Sequence, residues 1–176
     1  MSTYSIEQNR LAHFLFLDSR SALLWLAVRL YVGWEWINAG WAKVTSPLWI
    51  GAEAGKPLIG FVTNALAKTA GPHPDVQGWY ASFLTEVVLP NATVFSHFVA
   101  VGEVLVGIAL LTGFLVGISA FFGVFMNLNF LLAGAVSINP FLLIAGIFLI
   151  LARRVAGHIG LDRFVLPLLR RYGPFR

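Results

Sequence analysis

The stretch that decides the fold is residues 21–44, which read SALLWLAVRLYVGWEWINAGWAKV and contain three charged residues. A helix that crosses the hydrocarbon core of a bilayer needs about 20 predominantly apolar residues. This stretch is long enough, and further apolar segments lie at 92–112, 115–136 and 139–153. The fourth is the shortest, but its Asn139-Pro140 pair is typical of a helix start. We therefore predict an all-α integral membrane protein, a bundle of four transmembrane helices in a single domain over 1–176.

Composition excludes most other classes of protein. Of the 176 residues, 58% are hydrophobic and 11% are charged, whereas a soluble domain has roughly 25% charged residues. A soluble enzyme and a disordered chain are both excluded. The chain has no cysteine, which excludes iron–sulfur clusters, thiolate metal sites and a protein persulfide. Since only His97 lies deep in an apolar segment, we also expect no bis-histidine haem and no metal.

The segments between the spans predict the orientation. Residues 1–20 are interfacial, 45–91 form a long extracytoplasmic loop containing short helices, and 154–176 form a basic cytoplasmic tail. Lys and Arg concentrate near the two termini, and such residues favour the cytoplasmic side. We predict a multi-pass protein of the cell membrane with both termini in the cytoplasm. The basic tail of so hydrophobic a chain favours anionic membrane lipid over nucleic acid.

Four ionisable residues, Arg29, Glu35, His97 and Glu103, lie away from the ends of the predicted spans. Charge at this depth is costly and by default marks function. At about 1.5 Å per residue, Arg29 and Glu103 lie at similar depth above the cytoplasmic side. We therefore expect them to form a salt bridge. Glu35 and His97 lie deeper towards the outside, in a second polar tier. All four are candidate catalytic residues, and the alternative is that they only hold the helices together.

Aromatic and amide side chains accompany these groups. Trp34 and Trp36 lie within the first span, where they could stack on a flat ring, and the alternative is simple packing. Asn127 and Asn129 lie in the third span, with Asn129 in the outer tier. Flat walls and nearby polar groups are what a membrane-level cofactor needs.

Three stretches resemble the DoxX/DoxD family of small four-helix membrane proteins. They read RLYVGWEWINAGWAKV (29–44), VVLPNATVFSHFVAVGEVLVGIALLTG (87–113) and AGHIGLDRF (156–164). The segment WYASFLTEVVLPN is similar to the DoxD branch. That branch is the membrane subunit of thiosulfate:quinone oxidoreductase, which couples two thiosulfates into tetrathionate and passes two electrons to quinone. The resemblance thus implies an oxidoreductase of sulfur metabolism that uses quinone as its electron acceptor.

The resemblance also suggests roles and partners. Lys43 and Asn91 are expected to bind the thiosulfate dianion, Asn91 by capping the second span where the helix dipole is positive. Glu35, His97 and Glu103 are expected to carry protons to quinone, with Trp34, Trp36, Asn127 and Asn129 around its ring. A DoxA-like subunit or another redox complex is an expected partner, and a homo-oligomer is compatible with the sequence. The competing hypothesis is a non-catalytic membrane anchor or assembly subunit of a redox or respiratory complex.

Overall fold

The computed structural model describes residues 9–172, with side chains to Leu169, and all the regular structure in this range is helical. The helices are α1 (Arg10–Leu17), α2 (Ala22–Val44), α3 (Lys56–Leu66), α4 (Gly78–Phe83), α5 (Ala92–Thr112), α6 (Val116–Leu132), α7 (Asn139–Leu151), α8 (Arg153–Ala156) and α9 (Asp162–Tyr172). The all-α prediction is confirmed for these residues. Parts of the predicted interfacial segment and basic tail lie outside the described residues.

Helices α4 and α5 belong to one long helix. A π turn, Leu84–Val88, and a 3-10 turn, Leu89–Asn91, join them, and the helix runs without a break from Gly78 to Thr112. Pro90 lies at this joint, and a proline cannot donate the hydrogen bond that a regular α-helix requires. Position 92, where the second predicted span begins, is therefore a change of helix type within a longer helix.

Length and hydropathy separate the helices into two groups. The 35-residue helix Gly78–Thr112 has a mean hydropathy of 2.1 and is long enough to cross a membrane. Helices α1 and α2 meet at a 66° bend and together meet the same criterion. The apolar helices α6 and α7 are shorter, with 17 and 13 residues. Within the described residues, one helix clearly qualifies as a span, or two with the bent pair.

The four longest helices pack side by side, each against two others. Helix α2 packs against α5 and α7, and α6 packs against the same two helices. Glycines let α2 and α5 approach closely, because a Cβ on Gly40 would lie 2.7 Å from the backbone nitrogen of Val104. At the other end of this contact Gly33 lies against Leu111. The two helices are therefore antiparallel, and their register follows from these pairs.

The distribution of polar and apolar side chains is inverted relative to a soluble protein. Large apolar residues are exposed, including Leu23 at 70% and Phe98 at 69%. Arg29, Glu103 and Asn127, in contrast, are 1–2% exposed. A lipid environment favours an apolar exterior around a polar interior. Hydrocarbon solvates apolar side chains well, whereas charged and amide side chains are costly in hydrocarbon and are placed inside the protein.

One separate short helix, α3, lies in the 45–91 segment, as the sequence predicts, whereas α4 is the first part of the long helix. Helix α3 buries Leu58, Val62 and Ala65 against Tyr80 and other residues of the long helix. Gly55 precedes α3 in the left-handed conformation, with φ of 100°. The packing holds α3 across one end of the four long helices, which we call the α3 side. The opposite end carries α8 and is called the α8 side.

Candidate polar cavity

A cavity of about 630 Å³ lies among α2, α3, α5 and the start of α7. We call it the polar cavity. Its wall includes charged and aromatic side chains, namely Glu35, Trp36, Lys43, Trp49, Phe61 and Glu103. Helix α3 covers it through Pro57, Leu58 and Phe61, so the loop between the first two predicted spans forms part of the site. The volume is within the range of small-molecule sites, about 300–1,000 Å³.

An ion pair links the two main helices at this cavity. The Lys43 Nζ atom donates to the Glu103 Oε2 atom at 2.6 Å, and Glu103 is 1% exposed. The same ammonium lies 3.3 Å from the carbonyl oxygen of Ala39 and 5.2 Å from the centre of the Trp49 ring. A cation over an indole face is stabilised by the ring quadrupole. The Glu103 carboxylate, the Ala39 carbonyl oxygen and the Trp49 ring thus together stabilise the Lys43 charge in apolar surroundings.

The prediction of a salt bridge between Arg29 and Glu103 is wrong. Arg29 lies on the α8 side, where its Nη1 and Nη2 atoms donate to the carbonyl oxygens of Ala156 at 3.0 Å and Ile159 at 2.8 Å. The register explains the error, since Gly33 faces Leu111 and Gly40 faces Val104. In this register Thr112 lies level with position 32 of α2. The prediction from sequence places Thr112 level with position 21, which is about 16 Å away along α2.

Arg29 instead belongs to a structural corner on the α8 side. Asp162, at the start of α9, accepts hydrogen bonds from the backbone N–H groups of Leu115 and Val116 and so caps α6. Burial raises the pKa of the Asp162 carboxyl, while those two N–H groups and the Arg29 charge oppose the rise. Gly113, with φ of 71°, leaves the space that the guanidinium occupies. This corner explains the AGHIGLDRF stretch as structural.

His97 does not line the polar cavity. Its Nδ1 atom lies 2.7 Å from the carbonyl oxygen of Thr93, and its Nε2 atom lies 3.1 Å from that of Ile50. One residue earlier, the Ser96 hydroxyl donates to the Trp49 carbonyl oxygen at 2.7 Å. These contacts fasten the segment after α2 onto α5. They place His97 against this segment and not among the residues that line the polar cavity with Glu35.

The prediction that the Asn91 side chain caps α5 is wrong. Its side-chain amide donates to the carbonyl oxygen of Val87 at 2.9 Å and makes no capping hydrogen bond to α5. Because the helix continues back to Gly78, its N–H groups at position 92 are not free to bind an anion. The predicted anion site at this helix terminus is therefore absent from the described residues.

The four predicted quinone-binding residues separate in the structure. Trp36 is buried and lines the polar cavity, whereas Trp34 is 57% exposed and faces outward. The Asn129 side chain accepts from the Tyr80 hydroxyl at 3.1 Å and donates to the Phe125 carbonyl oxygen at 2.8 Å. It lines a second, apolar cavity instead.

Asn127 is 1% exposed, and neither its amide nitrogen nor its amide oxygen has a hydrogen-bond partner among the described residues. A buried amide left unpaired costs about 1–3 kcal/mol. Asn127 lies one turn from Phe130, which lines the polar cavity, and one turn from Gly123, which lies against the Trp36 indole. A polar ligand atom or a water molecule would satisfy it.

Sequence reasoning missed part of the cavity wall. Trp49, Phe61, Asn64 and Phe130 all line the polar cavity. The available signal was the short amphipathic pattern of residues 57–68, which predicts a helix but not the surface it covers. Only the packing of α3 on the long helix shows which of its residues reach the cavity.

These features define a helical membrane protein with a charged, aromatic-lined cavity. The sequence profile of one family, described as DoxX, matches residues 24–136. The chain belongs to the DoxX family, a family of membrane proteins. The matched range contains Glu35, Lys43 and Glu103, and it ends before Asp162. No curated protein and no solved structure matches the chain.

Proposed function

We propose that the polar cavity binds the ring of a quinone, and that this chain is the quinone-reactive membrane subunit of a redox system. The observation that carries the proposal is the buried Lys43–Glu103 pair on the wall of a cavity with flat aromatic sides. Trp36, Trp49 and Phe61 supply those sides. A small polar ring between apolar walls, with a few convergent polar groups, is a common arrangement for a ligand of this size.

The Lys43–Glu103 pair also supplies groups that can take part in quinone reduction. Reducing a quinone to a quinol consumes two electrons and two protons, and the protons add to the two ring oxygens. The Lys43 ammonium is a hydrogen-bond donor for one ring oxygen, and the two carboxyl groups, Glu103 and Glu35, are candidates to deliver protons. In this proposal the electrons come from a partner component.

The charged groups of the polar cavity bear on whether it can also bind the electron-donating sulfur anion. The ionisable side chains that line the polar cavity are two carboxyl groups, Glu35 and Glu103, and the ammonium group of Lys43, which is already paired with Glu103. Among these lining residues no unpaired cation is left to bind a dianion such as thiosulfate, and the helix terminus at Asn91 is not free to bind one. We therefore propose that this cavity takes the uncharged quinone. Oxidation of an inorganic sulfur anion, as in the DoxD-type enzyme, would occur on a DoxA-like or other partner subunit.

We further propose that α2, the α5 part of the long helix, α6 and α7 all cross the membrane. Exposed apolar side chains on each of the four support it, including Leu105, Phe122 and Phe141. Short spans are accommodated by local thinning of the bilayer. The arrangement places the polar cavity at the α3 side of the membrane, below the cover that α3 forms.

The test is to purify the chain in mild detergent from its native membrane and to quantify extracted quinone per protein. Near-stoichiometric quinone is expected for the wild type, with a loss of about tenfold in Lys43→Met. Lys56→Met, which removes an exposed lysine paired with Glu53, should retain the wild-type amount. Absence of quinone from the wild type and from its native complex would overturn the proposal and leave the non-catalytic anchor.

A further inference from the structure

A second cavity, of about 950 Å³, runs along α5 and α6. We call it the apolar groove. It extends from Tyr80 and Leu84 near α3 to Thr112 and Phe114 on the α8 side. Between Phe95 and Thr112 alone, α5 rises about 25 Å. The middle of the groove is lined by Val99, Gly102, Leu105, Phe122, Phe125 and Met126.

The polar side chains that line the apolar groove already have partners. The Tyr80 hydroxyl donates to the Asn129 carbonyl oxygen at 2.9 Å. The Thr112 hydroxyl donates to the Ile108 carbonyl oxygen at 2.8 Å, and the Ser119 hydroxyl to that of Phe114 at 3.1 Å. An occupant of the groove therefore needs to offer no hydrogen bonds. The groove favours a long chain of pure hydrocarbon.

The apolar groove and the polar cavity share a wall. Leu58, Phe61, Val99 and Phe130 line both. The Phe61 and Phe130 rings meet edge to face with centroids 6.2 Å apart, and Phe130 lies 6.5 Å from the Trp36 ring. The apolar groove and the polar cavity are thus neighbours on the two sides of this largely aromatic wall.

We propose that the apolar groove holds the isoprenoid tail of the quinone whose ring occupies the polar cavity. The inference rests on the proposed function, and it adds a second subsite with its own determinants. One charged compartment beside one long apolar compartment matches a molecule with a polar ring at one end and a hydrocarbon chain at the other. A phospholipid fits less well, since a phosphate headgroup would meet the Glu35 and Glu103 carboxyl groups beside an ammonium, Lys43, that is already paired.

The first test compares two ubiquinones, one with a single isoprene unit and one with a long tail, for binding to the purified full chain. The variant Gly102→Leu narrows the groove, because a Cβ at this glycine would already lie 3.3 Å from the Met126 sulfur atom. We expect about a tenfold weaker affinity for the long-tailed ubiquinone and an unchanged affinity for the short one. Val101→Leu introduces the same side chain outside the groove, at a 43% exposed position, and should change neither.

The second test uses the wild type in nanodiscs and does not depend on the folding of a variant. A long-tailed ubiquinone with a diazirine at the end of its tail should crosslink to α5 and α6, at residues such as Phe122 or Met126. Saturable binding of the ring with crosslinks elsewhere would overturn the tail site and leave the groove to a phospholipid acyl chain. No binding of the short ubiquinone to the wild type would instead overturn the proposed function.

Discussion

At the residue scale, the Lys43–Glu103 pair joins the end of α2 to the middle of α5 and forms one wall of the polar cavity. Both groups are withdrawn from water, with side-chain exposures of 20% and 2%. A buried charge that loses its partner keeps its desolvation cost and gains nothing in return. Both the folding and the ligand chemistry of this cavity therefore depend on the two charges being present together or absent together.

The corresponding prediction is a mutant cycle. Glu103→Leu and Lys43→Met should each destabilise the protein by about 3–5 kcal/mol. The double variant should be less destabilised than the sum, with a coupling energy of about 1–3 kcal/mol. The measurement is unfolding in detergent, followed by circular dichroism for all four proteins.

An exposed pair on the same chain serves as the control for this cycle. Lys56 and Glu53 lie 2.5 Å apart with side chains 62% and 49% exposed. Removing both charges there should show a coupling below about 1 kcal/mol. Strictly additive losses at Lys43 and Glu103 would show that the two groups do not act as a pair.

At the element scale, the contact between α2 and α5 sets the register on which the polar cavity depends. A Cβ on Gly107 would lie 2.6 Å from the Ile37 Cγ1 atom and 2.9 Å from the Gly33 carbonyl oxygen. The backbone atoms leave no room for adjustment by a side-chain rotation alone. Since Glu103 lies one turn away on the same helix, the contact also determines whether that carboxylate meets Lys43.

We therefore predict that Gly107→Ala destabilises the protein by about 1–3 kcal/mol through overpacking. Its matched control is Gly60→Ala in α3, where a Cβ would meet no atom within 4 Å. That change should be neutral or stabilising by up to about 1 kcal/mol, since alanine favours a helix over glycine. Equal shifts in the midpoint of thermal unfolding for the two variants would contradict the packing described for α2 and α5.

Sequence reasoning predicts the helices better than their mutual register. The apolar runs fix α2, α5, α6 and α7 within a few residues, and the Asn139-Pro140 pair marks the start of α7. The register depends on how far each helix extends beyond its neighbour, and a hydrophobic pattern carries no such information. For this reason the sequence predicts a pair between Arg29 and Glu103, while the partner of Glu103 in the structure is Lys43.

The candidate site shows the same division. Polarity inside an apolar run marks Glu35 and Glu103 as residues of interest, and both line the polar cavity together with Lys43, for which the sequence predicts anion binding. The same signal marks Arg29, which only holds a structural corner with Asp162. Packing decides whether a buried polar group faces a cavity or a backbone carbonyl. A single sequence does not specify this packing.

At the scale of the whole molecule, the inverted distribution of side chains favours a protein embedded in lipid, and the DoxX family is a membrane family. Orientation stays a prediction from the placement of Lys and Arg. It has a functional consequence, because the polar cavity lies at the α3 side. A cytoplasmic α8 side would place the quinone ring in the outer half of the membrane.

A cysteine-accessibility experiment tests the orientation, and the absence of native cysteine gives it a clean background. His73→Cys lies in the exposed turn before α4, and His158→Cys lies on the exposed α8 side. An impermeant maleimide should label position 73 in intact cells and position 158 only after the membrane is opened. Labelling of position 158 in intact cells would contradict the predicted orientation.

The central claim is that a quinone ring binds beside the Lys43–Glu103 pair, and the most direct test is the Kd of a short-tailed ubiquinone by tryptophan quenching. Trp36 and Trp49 lie on the cavity wall and should report the bound ring. The account predicts saturable binding to the wild type and to Lys56→Met. It predicts at least a tenfold rise in Kd, about 1.4 kcal/mol, for the folded double variant Lys43→Met/Glu103→Leu. The same Kd in all three proteins would contradict it.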